Sequence, residues 1–270
     1  MPTGQVDFPH LPSDALAGDC PGGLRLRPFG EGRADLDLDF GRQVRPALVT
    51  EALRCCTSDA EGRPLDKRFF WDLPVGVRMH ALVLLWLMSG RAPDVAVRCA
   101  DENCDADFEI TAPLEELREV ARVHYPAGPV EIVAGDRLLR LRLPIGADLS
   151  RWAESQPSRT EIVGQLLQDD VEIESSTDSQ VFSLIENALS EADPLVDLEL
   201  DGECPHCGCH FCVTFDLEGE ALRILELEQR DLLDAIDHLA RVYHWTEPEI
   251  VALPRWRREA YLDRVAEEPQ

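Results

Sequence analysis

Cationic charge is what this sequence has least of. Only 26 of its 270 residues are basic, against 52 acidic ones, and a single residue, Lys67, is a lysine. The formal charge of −26 excludes nucleic acid as an expected partner, because a phosphate backbone is held by Lys and Arg. It sets the surface against anionic membranes for the same reason, and fits a soluble protein that stays apart from its own kind. The near-absence of lysine beside plentiful arginine reads as coding bias of a GC-rich gene. Long apolar runs are missing too. The richest, Ala81-Leu-Val-Leu-Leu-Trp-Leu-Met88, is less than half of the roughly 20 residues a membrane helix needs, so no membrane insertion is expected. The opening Met1-Pro-Thr-Gly-Gln-Val-Asp7 lacks a basic stretch followed by an apolar one. No signal peptide is therefore expected, and the expected location is cytoplasmic, in the cell or within a particle assembled there. Catalytic signatures are also absent: there is no Gly-rich phosphate loop, no G-x-S-x-G elbow and no H-E-x-x-H. Histidines are scattered, and carboxylates are too abundant for any pair of them to be informative.

What remains is an ordinary globular apolar content of 44 % with helix and strand periods in alternation. Residues 1–44, with prolines 2, 9, 12, 21 and 28 and glycines 22, 23, 30 and 32, read as a flexible arm. Within it, Ala34-Asp-Leu-Asp-Leu-Asp-Phe40 alternates like an edge strand or a motif that orders on a partner. A short helix is predicted over 46–57. A nearly all-apolar helix from about Pro74 to Met88, with Pro74 in its first turn, is predicted as the core of the fold. Short strands are expected at 95–99, 108–110, 195–200 and 211–215, and a hairpin over 130–143 that turns at Gly135-Asp136. Helices are expected at about 113–124, 148–153, 161–168 and 181–190, with a polar loop before the last. The end of the chain reads as helical: 220–242 with a possible break near Gln229, a capped helix from Thr246 to Leu253, and 255–265.

Nine cysteines in a cytoplasmic chain point to metal or thiol chemistry rather than disulfides. Four form two knuckles, Cys99-Ala-Asp-Glu-Asn-Cys104 and Cys204-Pro-His-Cys207, each between two predicted strands. Aligning Cys104 with Cys207 puts Phe108 opposite Phe211, a weak internal repeat. Two such knuckles supply four thiolates for one tetrahedral zinc ion, and a site with four protein ligands is structural, since water has no open position. A redox C-x-x-C is the competing reading, but it lacks a βαβ context and leaves Cys99 and Cys104 idle. His206 is expected to face solvent. Cys209, His210 and Cys212 complicate the ligand assignment, with His210 and Cys212 as candidate substitutes. Cys20, Cys55 and Cys56 read as small packing residues, at least one of the last two buried.

Two further clusters carry weaker signals. Asp169-Asp-Val-Glu-Ile-Glu174 reads as a solvated loop rather than a cation site. Tyr243, Trp245, Trp256 and Tyr261, with Arg255, Arg257 and Arg258, fall within 19 residues of a chain only 6 % aromatic. Aromatic and Arg side chains are the usual anchors of protein interfaces, so these are the candidate partner-binding residues. The competing reading makes Trp245 and Trp256 core residues, with Arg257 paired to internal carboxylates.

Several segments taken together resemble one family. They are Trp71-Asp-Leu-Pro-Val-Gly-Val-Arg78 opening an apolar helix, the two knuckles, Arg142-Leu-Pro-Ile-Gly-Ala-Asp-Leu149, and the tail from His238 to Arg258 with Tyr261-Leu262. Their order resembles the baseplate hub assembly chaperones of T-even-type contractile phage tails, in the form found beside contractile injection systems and phage-like particles. The resemblance covers about residues 45–265, and departs from the family in its C-x4-C first knuckle, more often C-x2-C. It implies a non-enzymatic role in assembling or forming a baseplate, with baseplate or hub proteins as partners. The expected architecture is α+β: a helical body with short antiparallel strands and a discontinuous zinc-ribbon-like site. Its expected parts are the arm (1–44), a body (45–216) with knuckles at 95–112 and 195–216, and a helical region (217–270) packed on it. The alternatives are a zinc- or thiol-dependent enzyme and a zinc-ribbon regulator that binds another protein through its arm.

Overall fold

A computed structural model describes residues 5–9, 23–92, 94–111, 113–121, 128–135, 137–169 and 179–267. The chain opens with strands β1 (Val6–Asp7) and β2 (Arg25–Leu26) and a 3-10 turn at Arg33–Asp37. Helix α1 (Arg45–Cys56) leads into β3 (Thr57–Ser58), which joins the first two strands in an antiparallel sheet ordered β1-β2-β3. Helices α2 (Lys67–Asp72) and α3 (Val75–Ser89) follow, then the hairpin β4 (Asp94–Arg98) and β5 (Asp107–Thr111), and α4 (Leu114–Ala121). A second hairpin, β6 (Val130–Ala134) and β7 (Arg137–Leu141), precedes α5 (Gly146–Ser155), α6 (Arg159–Leu166) and α7 (Ser179–Ala192). A third, β8 (Glu199–Glu203) and β9 (His210–Thr214), feeds the 27-residue α8 (Leu217–Tyr243), with α9 (Glu247–Val251) and α10 (Arg255–Glu267) closing the chain. The fold is α+β as expected, and all strand pairs are antiparallel. No helix among the described residues is long and apolar enough to cross a membrane.

Helix α3 is the core element that its composition predicted. Apolar residues surround it, so every face must be covered. Val77, Ala81, Leu82, Val83 and Trp86 are fully buried, with α1, α4 and α8 packed around them. Leu85 is buried as well, whereas Leu84 is only half-buried. Gly90, at φ 72°, ends the helix in the left-handed conformation that a glycine adopts at least cost. At the other end Gly76 lies against Asp193: a Cβ at that position would fall 1.8 Å from the carboxylate. The absence of a side chain lets the Gly76 N–H donate to Asp193 Oδ2 at 2.8 Å. A free N–H of the first helical turn is thereby satisfied.

The sequence stretches 71–78 and 142–149 meet at this same helix entrance. Val75 N–H donates to the Pro144 carbonyl (2.9 Å), and Gly146 N–H donates to the Leu73 carbonyl (3.1 Å). Asp148, fully buried, closes the junction by accepting from Ile145 N–H and from Arg142 and Arg151. Beneath it Arg78 is also fully buried, and its two terminal nitrogens donate to neutral acceptors, the carbonyls of Pro46 and Phe70 and the Thr50 hydroxyl, while its Nε has no acceptor among the described residues. It thus ties α1 and α2 to α3.

The described residues before 45 are not an arm. Phe8, Leu24, Leu26, Phe29 and Leu38 are buried in the main core. The Ala34–Phe40 alternation does not form a strand; a 3-10 turn aims Asp35 inward. There its carboxylate accepts the N–H groups of Gly30, Glu31 and Gly32 and both terminal nitrogens of Arg27. Gln229 of α8 donates to the carbonyls of Asp35 and Leu38. Proline and glycine mark turns here, and side chains pack those turns one by one without any period. The same Gln229, buried with its amide nitrogen donating twice, explains why α8 is unbroken where a polar residue suggested an interruption.

A second, smaller core joins β6, β7, α6 and α7 through Ile132, Leu139, Leu141, Val163, Leu166, Phe182 and Ile185. The strand expected at 195–200 begins only at Glu199, because Asp193 holds the preceding residues to the start of α3. Cys20, Asp136 and residues 170–174 of the acidic run lie outside the described residues.

Candidate metal centre

The two knuckles are built alike. Cys99 follows β4 and Cys204 follows β8, so each hairpin delivers its first cysteine at the end of a strand. The chain then turns back on itself. Cys99 N–H donates to the Ala106 carbonyl (2.9 Å) and Cys204 N–H to the Cys209 carbonyl (2.8 Å), each carbonyl two residues beyond the second cysteine. The residue directly after that second cysteine has positive φ in both knuckles: Asp105 at 43° and Gly208 at 72°. Asp is among the few non-glycine residues that tolerate this region, and Asp105 is further held by Arg98 at 2.6 Å. The two extra residues of the C-x4-C are absorbed by a turn in which the N–H groups of Cys104 and Asp105 both donate to the Asp101 carbonyl. The longer spacing therefore leaves the return geometry unchanged. The repeat seen in the sequence is also a contact: the Phe108 and Phe211 rings lie 5.4 Å apart, edge to face, bracing the hairpins against each other.

This brace brings the four sulfurs of Cys99, Cys104, Cys204 and Cys207 within 4.8 Å of one another. Two of the separations run between the knuckles, 3.6 Å for Cys99–Cys207 and 3.9 Å for Cys104–Cys204. Four sulfurs at about 2.3 Å from one tetrahedral ion are about 3.8 Å apart, so the cluster already has the size of a tetrathiolate shell. No disulfide joins them. Among the described residues this is the one cluster of metal-ligating side chains.

Its electrostatics are those of thiols competing for protons. Burial opposes ionisation of Cys204, but the N–H groups of His206 and Cys207 and the neighbouring thiols outweigh it and bring it down to about 7. At Cys99 the Asp101 N–H favours the thiolate, yet burial and the three other sulfurs push it up to about 12. At Cys104 the Ala106 N–H and Cys99 favour the thiolate, but burial, Cys207 and Cys204 outweigh them and raise it. Four adjacent thiols cannot all ionise on their own; a bound cation supplies the charge that lets them do so.

The remaining candidates fall outside the shell. His206 is exposed, and exposed His210 lies 3.7 Å from Asp201. Cys209 bonds the His210 carbonyl, while Cys212 is exposed on β9 beside Glu199. Cys56 is buried, and Cys55 donates to the Ala34 carbonyl.

The C-terminal candidates divide into two groups. Tyr243, Trp245 and Tyr261 form one aromatic cluster, with Tyr243 stacked on Trp245 at 4.8 Å and Tyr261 edge-on to Trp245 at 4.9 Å. Trp256 is 60 % exposed and Arg257 is exposed, lying 5.9 Å from the Tyr261 ring. Arg255 and Arg258, expected on the partner surface with them, face inward instead. Arg255 pairs with buried Glu228 at 2.7 Å, and Glu228 also holds Arg91. Arg258, 5 % exposed, donates to the carbonyls of Val251, Leu253 and Gly30. On a helix three residues at consecutive positions cannot share a face, so the Arg-Trp-Arg-Arg run splits between core and solvent.

The sequence did not reveal Asp35, Arg78, Asp193 or Glu228 as buried charged residues. Asp35, Asp193 and Glu228 lie among other acidic residues without a distinguishing pattern, whereas Arg78 stands in a nearly all-apolar helix, and that isolation was the signal that could have marked it. Comparison with protein-family models, with curated proteins and with solved structures returned no match.

Proposed function

We propose that this chain is a non-enzymatic assembly protein, its fold clipped by a structural zinc ion, that helps to build the baseplate or hub of a contractile, phage-tail-like particle. The observation that carries the metal reading is the four-sulfur cluster, whose separations of 3.6 and 3.9 Å across the knuckles match a tetrahedral thiolate shell. Soft thiolate donors in this number suit zinc, with iron and copper(I) as competitors. All four positions are filled by protein, so the ion's role is mechanical: it joins the hairpin after α3 to the hairpin before α8.

The particle assignment rests on the resemblance carried by Trp71–Arg78, Arg142–Leu149 and the His238–Arg258 tail. Two of those segments form one hydrogen-bonded junction at the start of α3, which gives their joint occurrence a physical reason. The exposed Trp256 and Arg257 on α10, beside the aromatic cluster, offer the anchor chemistry of a protein interface. The test is elemental analysis of the purified protein, followed by affinity purification from cells expressing the whole gene cluster. One zinc per chain and co-purification of tube, sheath or hub components are expected. Trp256→Ala with Arg257→Glu should remove those components while leaving the fold and the zinc intact. Loss of neither component, or a metal-free chain with unchanged stability, sinks the corresponding half of the proposal.

A further inference from the structure

Tyr243, Trp245 and Tyr261 pack on one another and on neither core: all three are half-buried, and none belongs to the apolar clusters that hold the body together. Rings of this size left half in solvent are surface that a partner can cover. Helix α10 adds a cation at either end of them. Arg257 and Arg264 stand one turn before and one turn after Tyr261, and each guanidinium lies 5.9 Å from the centre of its ring. Positions i, i+4 and i+7 share one helical face, so the ring and both cations form one strip, with the two arginines about 10 Å apart along the axis.

Neither cation is neutralised. Both are exposed, and among the described residues neither lies within ion-pair distance of a carboxylate; Arg264 donates only to the Ala260 carbonyl of its own helix. The carboxylates at this end of the molecule are engaged elsewhere: Asp237 with Arg241 (2.9 Å), Glu259 with Arg255 (2.9 Å) and Glu249 with the Thr246 cap (2.8 Å), while Glu247 lies 3.9 Å from Arg33. Exposed Asp263 precedes Arg264 but projects about 100° away around the helix. Two free guanidiniums side by side stand out in a chain with 52 acidic and 26 basic residues, where the exposed arginines of α8, Arg223, Arg230 and Arg241, each hold a carboxylate. Attraction to the Tyr261 ring positions the two cations and leaves their planar forks of donors open.

We infer that this strip receives an acidic segment of the partner protein, two of its carboxylates held by Arg257 and Arg264 and an apolar side chain between them laid on Tyr261 and Trp245. Arginine clusters recognise acidic motifs in this way: the guanidinium–carboxylate bonds set the register, and the aromatic area supplies affinity. This inference rests on the reading of the α10 surface as the partner interface, and adds the chemistry of what lands there. A nucleic acid or an anionic membrane also brings negative charge, but it spreads over the surrounding acidic surface, which repels it; a short segment touches the strip alone.

The experiment uses the full-length, metal-loaded chain and three fluorescein-labelled synthetic peptides of about 18 residues: one of helical Leu/Glu pattern, one with every Glu replaced by Gln, and one with every Leu replaced by Ser. Anisotropy is followed in about 150 mM salt, where long-range repulsion from the acidic body is screened. The Leu/Glu peptide should bind, and the other two about tenfold more weakly or less. Arg257→Gln and Arg264→Gln should each weaken binding about fivefold, and together about tenfold or more, with unchanged thermal unfolding. Arg230→Gln, the same change of charge at an arginine that already holds a carboxylate, should alter binding less than about twofold. Equal losses for Arg230→Gln and Arg257→Gln would reduce the effect to bulk charge and overturn the inference. So would absence of binding by the Leu/Glu peptide, equal binding of the Leu/Gln peptide, or displacement by an equal concentration of single-stranded DNA of about 20 nucleotides. Self-association of the wild type that the double Arg variant abolishes would overturn it too, since the occupant would then be a second copy. Failure of the interface reading shows separately, in the co-purification. Tail components retained by Trp256→Ala with Arg257→Glu would remove the particle partner, while Arg-dependent binding of the Leu/Glu peptide still upheld the acidic-segment chemistry; components lost without any peptide binding would uphold the surface and overturn the acidic segment.

Discussion

Asp193 provides a test of how this fold handles buried charge. It is 2 % exposed at the start of α3, and among the described residues no cation pairs with it. Burial disfavours its charged form, and the N–H groups of Gly76 and Leu195 only partly compensate, so its carboxyl is pushed up from 3.8 to about 6. Its Oδ1 has no hydrogen-bond donor. An acid raised on folding binds its proton more tightly in the native state. Its contribution is therefore most favourable below about pH 4 and is lost as pH rises through about 6. At about 1.4 kcal/mol per unit, the ionised side chain costs up to about 3 kcal/mol at pH 8. Asp193→Asn removes that cost and keeps an oxygen for the Gly76 N–H, but places an unpaired amide N–H2 where Oδ1 was, at about 1–2 kcal/mol. The variant should be about 1–2 kcal/mol more stable than wild type at pH 8, and equal or slightly less stable at pH 5. Urea unfolding of both proteins at pH 5, 6, 7 and 8, followed by circular dichroism, measures the difference. A variant less stable than wild type at pH 8 by more than about 1 kcal/mol, or a difference independent of pH, would refute the reasoning. The carboxylate would then be valued as an anion at the helix N-terminus.

Cys204→Ser should release the metal and lower stability by about 4–5 kcal/mol, the entropy of closing a loop of about 100 residues; wild-type unfolding in excess chelator should match it, and an unchanged midpoint in both would show that no clip exists. Leu85→Ala should cost about 2–5 kcal/mol and half-buried Leu84→Ala less than half as much, by urea unfolding, whereas equal losses would contradict the orientation of α3. Arg258→Ala strands three carbonyls and should cost about 2–4 kcal/mol, against about 0.5 kcal/mol or less for Arg257→Ala; similar costs would mean that α10 is rotated from the position described.

The sequence was most legible where one residue type repeats with a physical period or a ligand spacing. Helix α3 was visible because its apolar residues leave no polar face, and the thiolate shell because two strand-flanked cysteine pairs have few other uses. The register between the knuckles was visible too, since Phe108 and Phe211 each lie four residues beyond a cysteine, and the rings meet. Residues 23–44 failed for the complementary reason. Their packing is carried by single side chains on turns, and a turn rich in proline and glycine reads the same whether it is buried or free. Asp35 shows the difficulty: in sequence it is one of several acidic residues in Ala34–Phe40, in the fold it is the acceptor for three backbone N–H groups and Arg27.

The buried charges share a further logic. Arg78, Asp148, Asp193, Glu228 and Arg258 do not fill the core at random; each sits where a helix begins, ends or is crossed by another segment. Asp193 and Asp148 hold the starts of α3 and α5, Arg78 collects the carbonyls at the start of α1 and the end of α2, and Arg258 collects those after α9. A helix terminus leaves backbone groups unsatisfied, and among the described residues, which form short and long helices packed on one another, many such termini are buried. An acidic, arginine-rich composition supplies long donors and compact acceptors for them. The high content of Arg, Asp and Glu is thus partly a consequence of architecture, and the same abundance hid most of these residues from a reading by pattern. Most charged residues in this chain are informative only once the neighbour across the fold is known.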